Sequence, residues 1–304
     1  MHRDLGSTVM KVRRVMVGVW GLVTRPLVRR WKWWRQPRWW NDSDLPWEVP
    51  DAVGKGPMAV CNICHWAGAE FLGTEHVESA MCPRCGSVAR DRFLLFCFFN
   101  CSPHDSSMRV LETSPRLGRE YRRMMRSLFR YTSSDFDLSA HRGDIRIDLQ
   151  DIALPDSSVD VLLTPHVLEH VPDTDRALRE IHRVLSPGGA MYLQVPLQQG
   201  ITSRPAEPEF HGDNTPVHFR FGWDLIASLE TVGFDVEVLV MEEFAKVLRG
   251  ENPCPESEVD GFDIPSMIEH APTAKLRPIV DIYMSKIYGF RPEHQFVTFR
   301  CVKR

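Results

Sequence analysis

The reading of the fold turns on "DLQDIALPDSSVDVLLTPHVLEHVPDTDRALREIHRVLSPGGAMYLQVPL", Asp148 to Leu197. "VDVLLTPHVL" reads as a strand. "DTDRALREIHRVLSPGG" follows with Ala177, Leu178, Ile181, Val184 and Leu185 at helical spacing. Asp173 or Thr174 stands where a helix needs an amide cap, and Pro187-Gly188 marks its expected end. "AMYLQVPL" is again a strand. Strand, helix and strand in under fifty residues make a parallel crossover, the repeating unit of an α/β sheet.

Upstream the alternation continues. "MRVLE" from Met108, "RYTSSDF" ending at Asp135 and "DIRIDL" ending near Asp148 read as three further strands. Between the first two, "RLGREYRRMMRSLF" places Leu117, Tyr121, Met124, Met125 and Leu128 on one helical face. Glu112, Asp135 and Asp148 therefore fall at the carboxyl ends of consecutive strands, the edge along which open parallel sheets bind ligands. An acid closing the second strand is placed to accept from both hydroxyls of a ribose; one closing the third is placed to face an adenine amino group.

On these residues the chain resembles a class I S-adenosylmethionine (SAM)-dependent methyltransferase, in the type 11 branch that includes ubiquinone-type and small-molecule methyltransferases. The resemblance runs from about Arg109 to Phe234, and "HVLEHV" with "RVLSPGG" carries it. It implies a Rossmann-like α/β fold with a mostly parallel seven-stranded sheet and helices on both faces. It also implies roles. Glu112 would be the acid of the first motif, touching the methionine part of SAM or ordering the loop around it. Asp135 would bind the ribose, Asp148 and Leu149 the adenine, and His166 would lie near the sulfonium. The departure is at the first loop, where the family's acid-x-Gly-x-Gly is replaced by Glu112-Thr113-Ser114-Pro115-Arg116. SAM has no phosphates that require a nest of amides, so small Thr113 and Ser114 could still admit its amino-acid tail.

Methyl transfer to a hydroxyl needs a base, and imidazole suits that near neutral pH. His166, His170, His211 and His218 are the candidates. His166 and His218 are favoured as catalytic. His211, His218 and Arg220, around "PVHFRFGWDLIASLETVGF", are expected to border the acceptor, whereas His170 is expected to order its loop and His182 to lie on a helix surface. Residues 249–290 match nothing in the family pattern and read as an insertion, a substrate lid or an oligomer contact.

Ahead of this domain, "CNICHW" and "CPRCGS" set Cys61, Cys64, Cys82 and Cys85 in C-x2-C-x17-C-x2-C spacing. Two tight turns, each offering two thiolates, are the donor set of a closed structural Zn2+ site in a small zinc-ribbon-like module. The alternative is a set of buried or redox thiols. The helix that follows, "SVARDRFLLFCFF", is expected to pack Phe93, Phe96 and Phe99 on the next domain. The organisation expected is residues 1–50 as a basic tail, 51–99 as the zinc module with its linking helix, and 100–304 as the methyltransferase domain. The spare cysteines are scattered, so thiolates on metal imply a reducing compartment, read as cytoplasmic.

Charge divides the chain. Residues 1–40 hold ten Lys/Arg against one acid, a charge of +9, so the formal −3 of the whole chain leaves −12 on the remaining 264 residues. An acidic body is poor material for tracking nucleic-acid phosphates, which makes nucleic acid an unfavoured partner. In the head, six of nine tryptophans lie between Trp20 and Trp40 among Arg and Lys. That is the chemistry of a segment lying on a membrane, of a disordered basic tail or of an RNA contact. Its longest apolar run, Val15–Val23, is far short of the ~20 residues a span requires. The expected activity is methyl transfer to a small-molecule or lipid-linked acceptor, at oxygen. Against it stand a catalytically silent binding protein, suggested by the glycine-poor loop, and an RNA methyltransferase.

Overall fold

The structure is a computed structural model that describes residues 59–73, 80–103, 105–138, 143–211, 215–253, 263–291 and 297–304. The basic head and the centre of the insertion lie outside the described residues.

The chain begins with two short antiparallel strands, β1 (Ala59–Val60) and β2 (Ala67–Gly68). Helix α1 (Ala89–Cys101) follows the second cysteine pair, its first turn fixed by the Asp91 carboxylate accepting from the Val88 amide at 3.0 Å. Then come β3 (Arg109–Thr113), α2 (Arg119–Leu128), β4 (Arg130–Asp135), the two-residue β5 (Ile145–Arg146) and β6 (Val159–Pro165). A single 3-10 turn, Leu168–His170, leads to α3 (Thr174–Val184), β7 (Leu185–Gln194) and a small hairpin of β8 (Glu209–Phe210) and β9 (Pro216–Val217). The chain continues through α4 (Leu225–Val232), β10 (Phe234–Met241), α5 (Glu242–Leu248), α6 (Ile264–Glu269), β11 (Leu276–Val280), α7 (Ile282–Tyr288) and β12 (Thr298–Lys303).

One sheet in the order β11-β10-β12-β7-β6-β3-β4-β5 organises the body. Neighbours are parallel except at β12, which runs antiparallel to both β10 and β7. Seven of these strands are the expected set. The eighth, β11, is supplied by the insertion and extends the sheet at its edge beside β10. From β3 the chain moves outward to β4 and then β5, and it returns to the other side of β3 at β6. The chain therefore switches direction between β3 and β6, and the crevice at their carboxyl ends is where such a sheet binds ligands.

Asp173 caps α3 as expected, accepting from the Arg176 amide at 2.9 Å. The helix does not run to Pro187-Gly188, however. It stops at Val184, and Leu185 already pairs with Val159 in the sheet. Ser186–Gly189 is instead a bulge in β7, since the register next resumes at Val161 opposite Ala190. Gly188 takes φ +74° there, and a Cβ on Gly189 would lie 2.9 Å from the Asp160 carbonyl. Proline and glycine punctuate the strand entry here rather than the helix exit. The expected third strand is likewise shorter, ending at Arg146, so Asp148 lies in the turn that follows it.

The aromatic face of α1 is shared between two ends of the body. Phe93 and Phe96 meet Phe290, at centroid distances of 5.3 and 6.0 Å, while Phe98 and Phe99 stack about Phe129. His182 is half-buried rather than on the surface, edge-on to Phe234 at 5.1 Å.

Candidate functional site

Two neighbouring strands end in the same unusual way. Ser114, just past β3, has φ +46°, and His166, just past β6, has φ +50°. Such backbone costs an L-residue about 1–2 kcal/mol, and observed strain of this kind gathers at functional sites. Each is held by a bond to the adjoining strand, Ser114 N–H to the Ser134 carbonyl at 2.7 Å and His166 N–H to the Gln194 carbonyl at 2.8 Å. Ser114 thus adopts the left-handed turn that glycine usually supplies, with Thr113 buried behind it.

Glu112 lies inside the protein. Its Oε2 accepts from the Tyr121 hydroxyl of α2 at 2.8 Å and from the Tyr131 hydroxyl of β4 at 2.5 Å. Burial pushes the carboxyl up to about 7, against the lowering effect of the two phenols. Of the two roles the family resemblance implies, this arrangement suits ordering of the loop. Asp135 is buried at the end of β4 and accepts from the Asp137 amide at 2.9 Å. Asp148 is half-buried and accepts from Gln150 through both its amide (2.8 Å) and its side chain (3.2 Å), with Leu149 buried next to it. Gln150 in turn accepts from the Asp173 amide, joining this turn to the start of α3. Three carboxylates and two strained strand ends therefore line one edge of the sheet.

His166 is half-buried, and its Nε2 is shielded from solvent with no hydrogen-bond partner among the described residues. Burial holds it well below the usual histidine range, helped by the positive charges of Arg90 and Arg116. That direction favours the neutral imidazole. Its Nδ1 is 3.7 Å from Glu169 Oε1, and His170 Nε2 is 3.8 Å from the same oxygen. Glu169 is only 1% exposed, and its backbone carbonyl accepts from the His218 amide at 2.8 Å. His211 meets His170 edge-on at 4.7 Å, and His170 Nδ1 is 2.7 Å from the Pro216 carbonyl. The four candidate histidines are thus linked around the 3-10 turn. Arg220 is differently engaged: it is exposed and pairs with Glu209 at 2.6 Å across the small hairpin.

Sequence reading missed Glu169 and Arg90. Glu169 was hidden in a motif read as a whole, and Arg90 belongs to α1, read only for its aromatic face. The insertion was also underread. Trp223 Nε1 donates to the Met267 carbonyl at 2.8 Å, and the Gly200 and Asp263 amides bond across to Ser266 and Gln198. Helix α6 is therefore stitched to the segment that follows β7.

The four cysteines also come together, with their sulfurs within 4.8 Å of one another. Cys61–Cys85 is 3.7 Å and Cys64–Cys82 is 3.5 Å. Sulfurs ~2.3 Å from a tetrahedral Zn2+ would be about 3.8 Å apart, so the donor set fits that ion. The two turns repeat one geometry. His65 N–H bonds to the Cys61 carbonyl and Gly86 N–H to that of Cys82, at φ +57° and +71°.

Residues 117–193 match the family model described as "Methyltransferase domain". A "Probable S-adenosylmethionine-dependent methyltransferase" of Mycolicibacterium smegmatis is 38% identical over 102 residues, 32% of this chain. The match spans 37% of that relative's length. Among solved structures, a SAM-dependent methyltransferase of Mesorhizobium loti is 20% identical, with TM-score 0.42, over 71% of this chain and 98% of that one. One from Archaeoglobus fulgidus is 15% identical, also with TM-score 0.42, over 71% and 95%. The stretch similar to a methyltransferase domain, residues 117–193, runs from just before α2 into β7 and so spans β4, β5 and β6 of the sheet.

Proposed function

We propose that this domain transfers a methyl group from SAM to a small-molecule or lipid-linked acceptor, at oxygen, with His166 as the base. The observation that carries the reading is His166 itself: a strained, half-buried imidazole just past β6, held below the usual histidine range by burial, whose shielded Nε2 is unused among the described residues. SAM would supply a methyl group activated on a sulfonium, and displacement from it requires alignment above all. Asp135 and Asp148 suit the ribose hydroxyls and the adenine amino group, and Leu149 offers an apolar wall to the ring. Thr113 and Ser114 suit the amino-acid tail. His166 would take the acceptor's proton at Nε2. Because it remains unprotonated below the ordinary histidine range, it is available as a base throughout the neutral region. His218 and His211, linked to the same turn, are the acceptor-side groups, with Arg220 farther out on the hairpin. A lid role for residues 249–290 is consistent with the bonds from α6 to Gly200 and Trp223.

Cys61, Cys64, Cys82 and Cys85 would hold a structural Zn2+, with no position left for substrate. The head, residues 1–40, would make peripheral membrane contact from the cytoplasmic side. Comparing flotation of full-length protein and residues 49–304 with anionic liposomes tests this, and equal flotation would remove it. Among the described residues no helix is long and apolar enough to cross a membrane.

The glycine-poor loop keeps a second reading alive, a methyltransferase fold that binds without catalysis. Calorimetric titration with S-adenosylhomocysteine, beside Asp135→Ala, decides between them. Micromolar binding lost in the variant supports the enzyme, whereas no binding by folded protein supports the scaffold.

A further inference from the structure

Arg92, in the first turns of α1, is wholly buried, yet no carboxylate among the described residues pairs with it. Its three donor nitrogens all go to backbone carbonyls: Nη2 to Ala80 (2.7 Å), Nη1 to Ser87 (2.7 Å) and Nε to Tyr288 (2.9 Å). Its guanidinium lies 3.8 Å above the Phe71 ring. A charge taken so far from water needs an opposite charge close by. The nearest carboxylate in sequence, Asp91, bonds to the Val88 amide and supplies only part of the opposite charge that Arg92 feels. What surrounds Arg92 instead is the cysteine module. Ala80 and Ser87 flank the second pair, and Ser87 Oγ is 3.2 Å from Cys85 Sγ and 3.5 Å from Cys61 Sγ. Four thiolates around one divalent ion carry a net double negative charge, which would supply most of the countercharge.

The third donor leads elsewhere. Tyr288 ends α7, and Gly289 follows at φ +68°. A Cβ on Gly289 would sit 2.5 Å from Phe71 Cδ2 and 3.1 Å from Arg92 Nη2, so the chain there lies flat on both. Phe290 then packs edge-on to Phe93. Arg92 thus bonds both the second cysteine turn and the far end of the insertion, whose α6 reaches the acceptor-side segment at Gly200 and Trp223.

We propose that Arg92 is the electrostatic partner of a divalent metal at Cys61, Cys64, Cys82 and Cys85, and that through it metal occupancy holds the 282–290 segment in place. This rests on the structural-metal reading above and gives the module a task inside this domain: bracing the insertion rather than serving as a detached binding unit.

The test uses the full chain, reduced and stripped of metal, titrated with Co2+ to follow the thiolate charge-transfer band and then competed with Zn2+. Arg92→Met removes the charge at similar bulk, and Arg92→Lys keeps the charge without the three-way fork. Loss of a supporting partner around a metal site weakens affinity by about 10- to 100-fold. The expectation is a loss of that order in Arg92→Met and a smaller one in Arg92→Lys. Hydrogen exchange read in parallel should rise at 282–290 in both variants and in stripped wild type, while 109–113 and 159–165 stay protected. Stoichiometric metal held equally tightly by wild type and Arg92→Met would overturn the pairing. Unchanged exchange at 282–290 on stripping would overturn the brace. A wild-type chain that binds no metal at the four thiolates would instead remove the metal reading, and this proposal with it.

Discussion

Tyr131 donates its phenolic hydrogen to Glu112 at 2.5 Å, from one strand to its parallel neighbour across the interior of the sheet. Tyr121 reaches the same oxygen from the helix between them. The acid near the carboxyl end of β3 is therefore fixed by β3, α2 and β4 together, and only its backbone continues toward the Ser114 turn.

A pH dependence follows. Glu112 binds its proton more tightly folded (about 7) than in a free carboxyl near 4.5. Between those values the native state holds more protons than the unfolded one, so stability falls as pH rises through this window and levels off above it. The span corresponds to roughly 3 kcal/mol at most. Glu112→Gln keeps an oxygen for both phenols and removes the charge. Its midpoint in urea should vary less than wild type's between pH 5 and 8, with the variant gaining relative to wild type toward pH 8. Parallel curves for the two proteins would show that Glu112 does not titrate there.

Ser114 separates strain from binding. Glycine removes the left-handed penalty of about 1–2 kcal/mol but loses chain entropy of about 0.5–1 kcal/mol, so Ser114→Gly should change stability by about 1 kcal/mol or less. Ser114→Val, β-branched at φ +46°, should cost at least ~2 kcal/mol in a thermal melt. If the hydroxyl grips the cofactor's carboxylate, Ser114→Gly and Ser114→Ala should weaken S-adenosylhomocysteine by the same factor, about 10-fold or more. A loss in alanine alone would point to backbone geometry.

His166 should behave as a base without being needed for cofactor affinity. Replacement by Asn or Gln is expected to lower kcat by about 10²- to 10⁴-fold with S-adenosylhomocysteine affinity within a few-fold of wild type. The wild-type rate should not fall as pH drops through 6.5, because His166 stays neutral there. A rate that halves near pH 6.5 and tracks a histidine would assign the proton transfer to another residue of the cluster.

Much of this was legible in the chain. Periodicity in "VDVLLTPHVL" and "DTDRALREIHRV" reports burial directly, so the strands, the helix and two of the strand-end acids, Glu112 and Asp135, are legible in the chain. The cysteine spacing likewise reflects a local turn geometry. What stayed hidden depended on partners distant in sequence. Glu112 reads as touching the cofactor or ordering the loop beside it, and the phenols of Tyr121 and Tyr131 that engage it reveal themselves only once the sheet is assembled. Pro187-Gly188 looked like a helix stop because a bulge and a helix end use the same residues. The eighth strand was missed because "LRPIV" contains a proline tolerable only at a sheet edge.

Gly289 gives the last prediction, on how the insertion is secured. Its φ of +68° already disfavours any side chain, and a new methyl would be forced into Phe71 and against Arg92. Neither neighbour can easily yield, since Phe71 is buried beneath the guanidinium and Arg92 is held by three carbonyls. Gly289→Ala should therefore cost at least the left-handed penalty plus a steric share, at least ~2 kcal/mol, and lower Tm by several degrees. Gly250 is the internal control. It has φ +71°, but a Cβ placed on it would meet nothing within 4 Å, so Gly250→Ala should cost only the backbone share. Thermal melts of the two variants, with and without chelator, measure the difference. A larger deficit for Gly289→Ala in the metal-loaded protein, shrinking when metal is removed, is the result expected of a docked segment that metal holds in place. Equal deficits in both variants would mean that Phe71 and Arg92 move aside freely, leaving the 282–290 segment without a firm seat on the cysteine module.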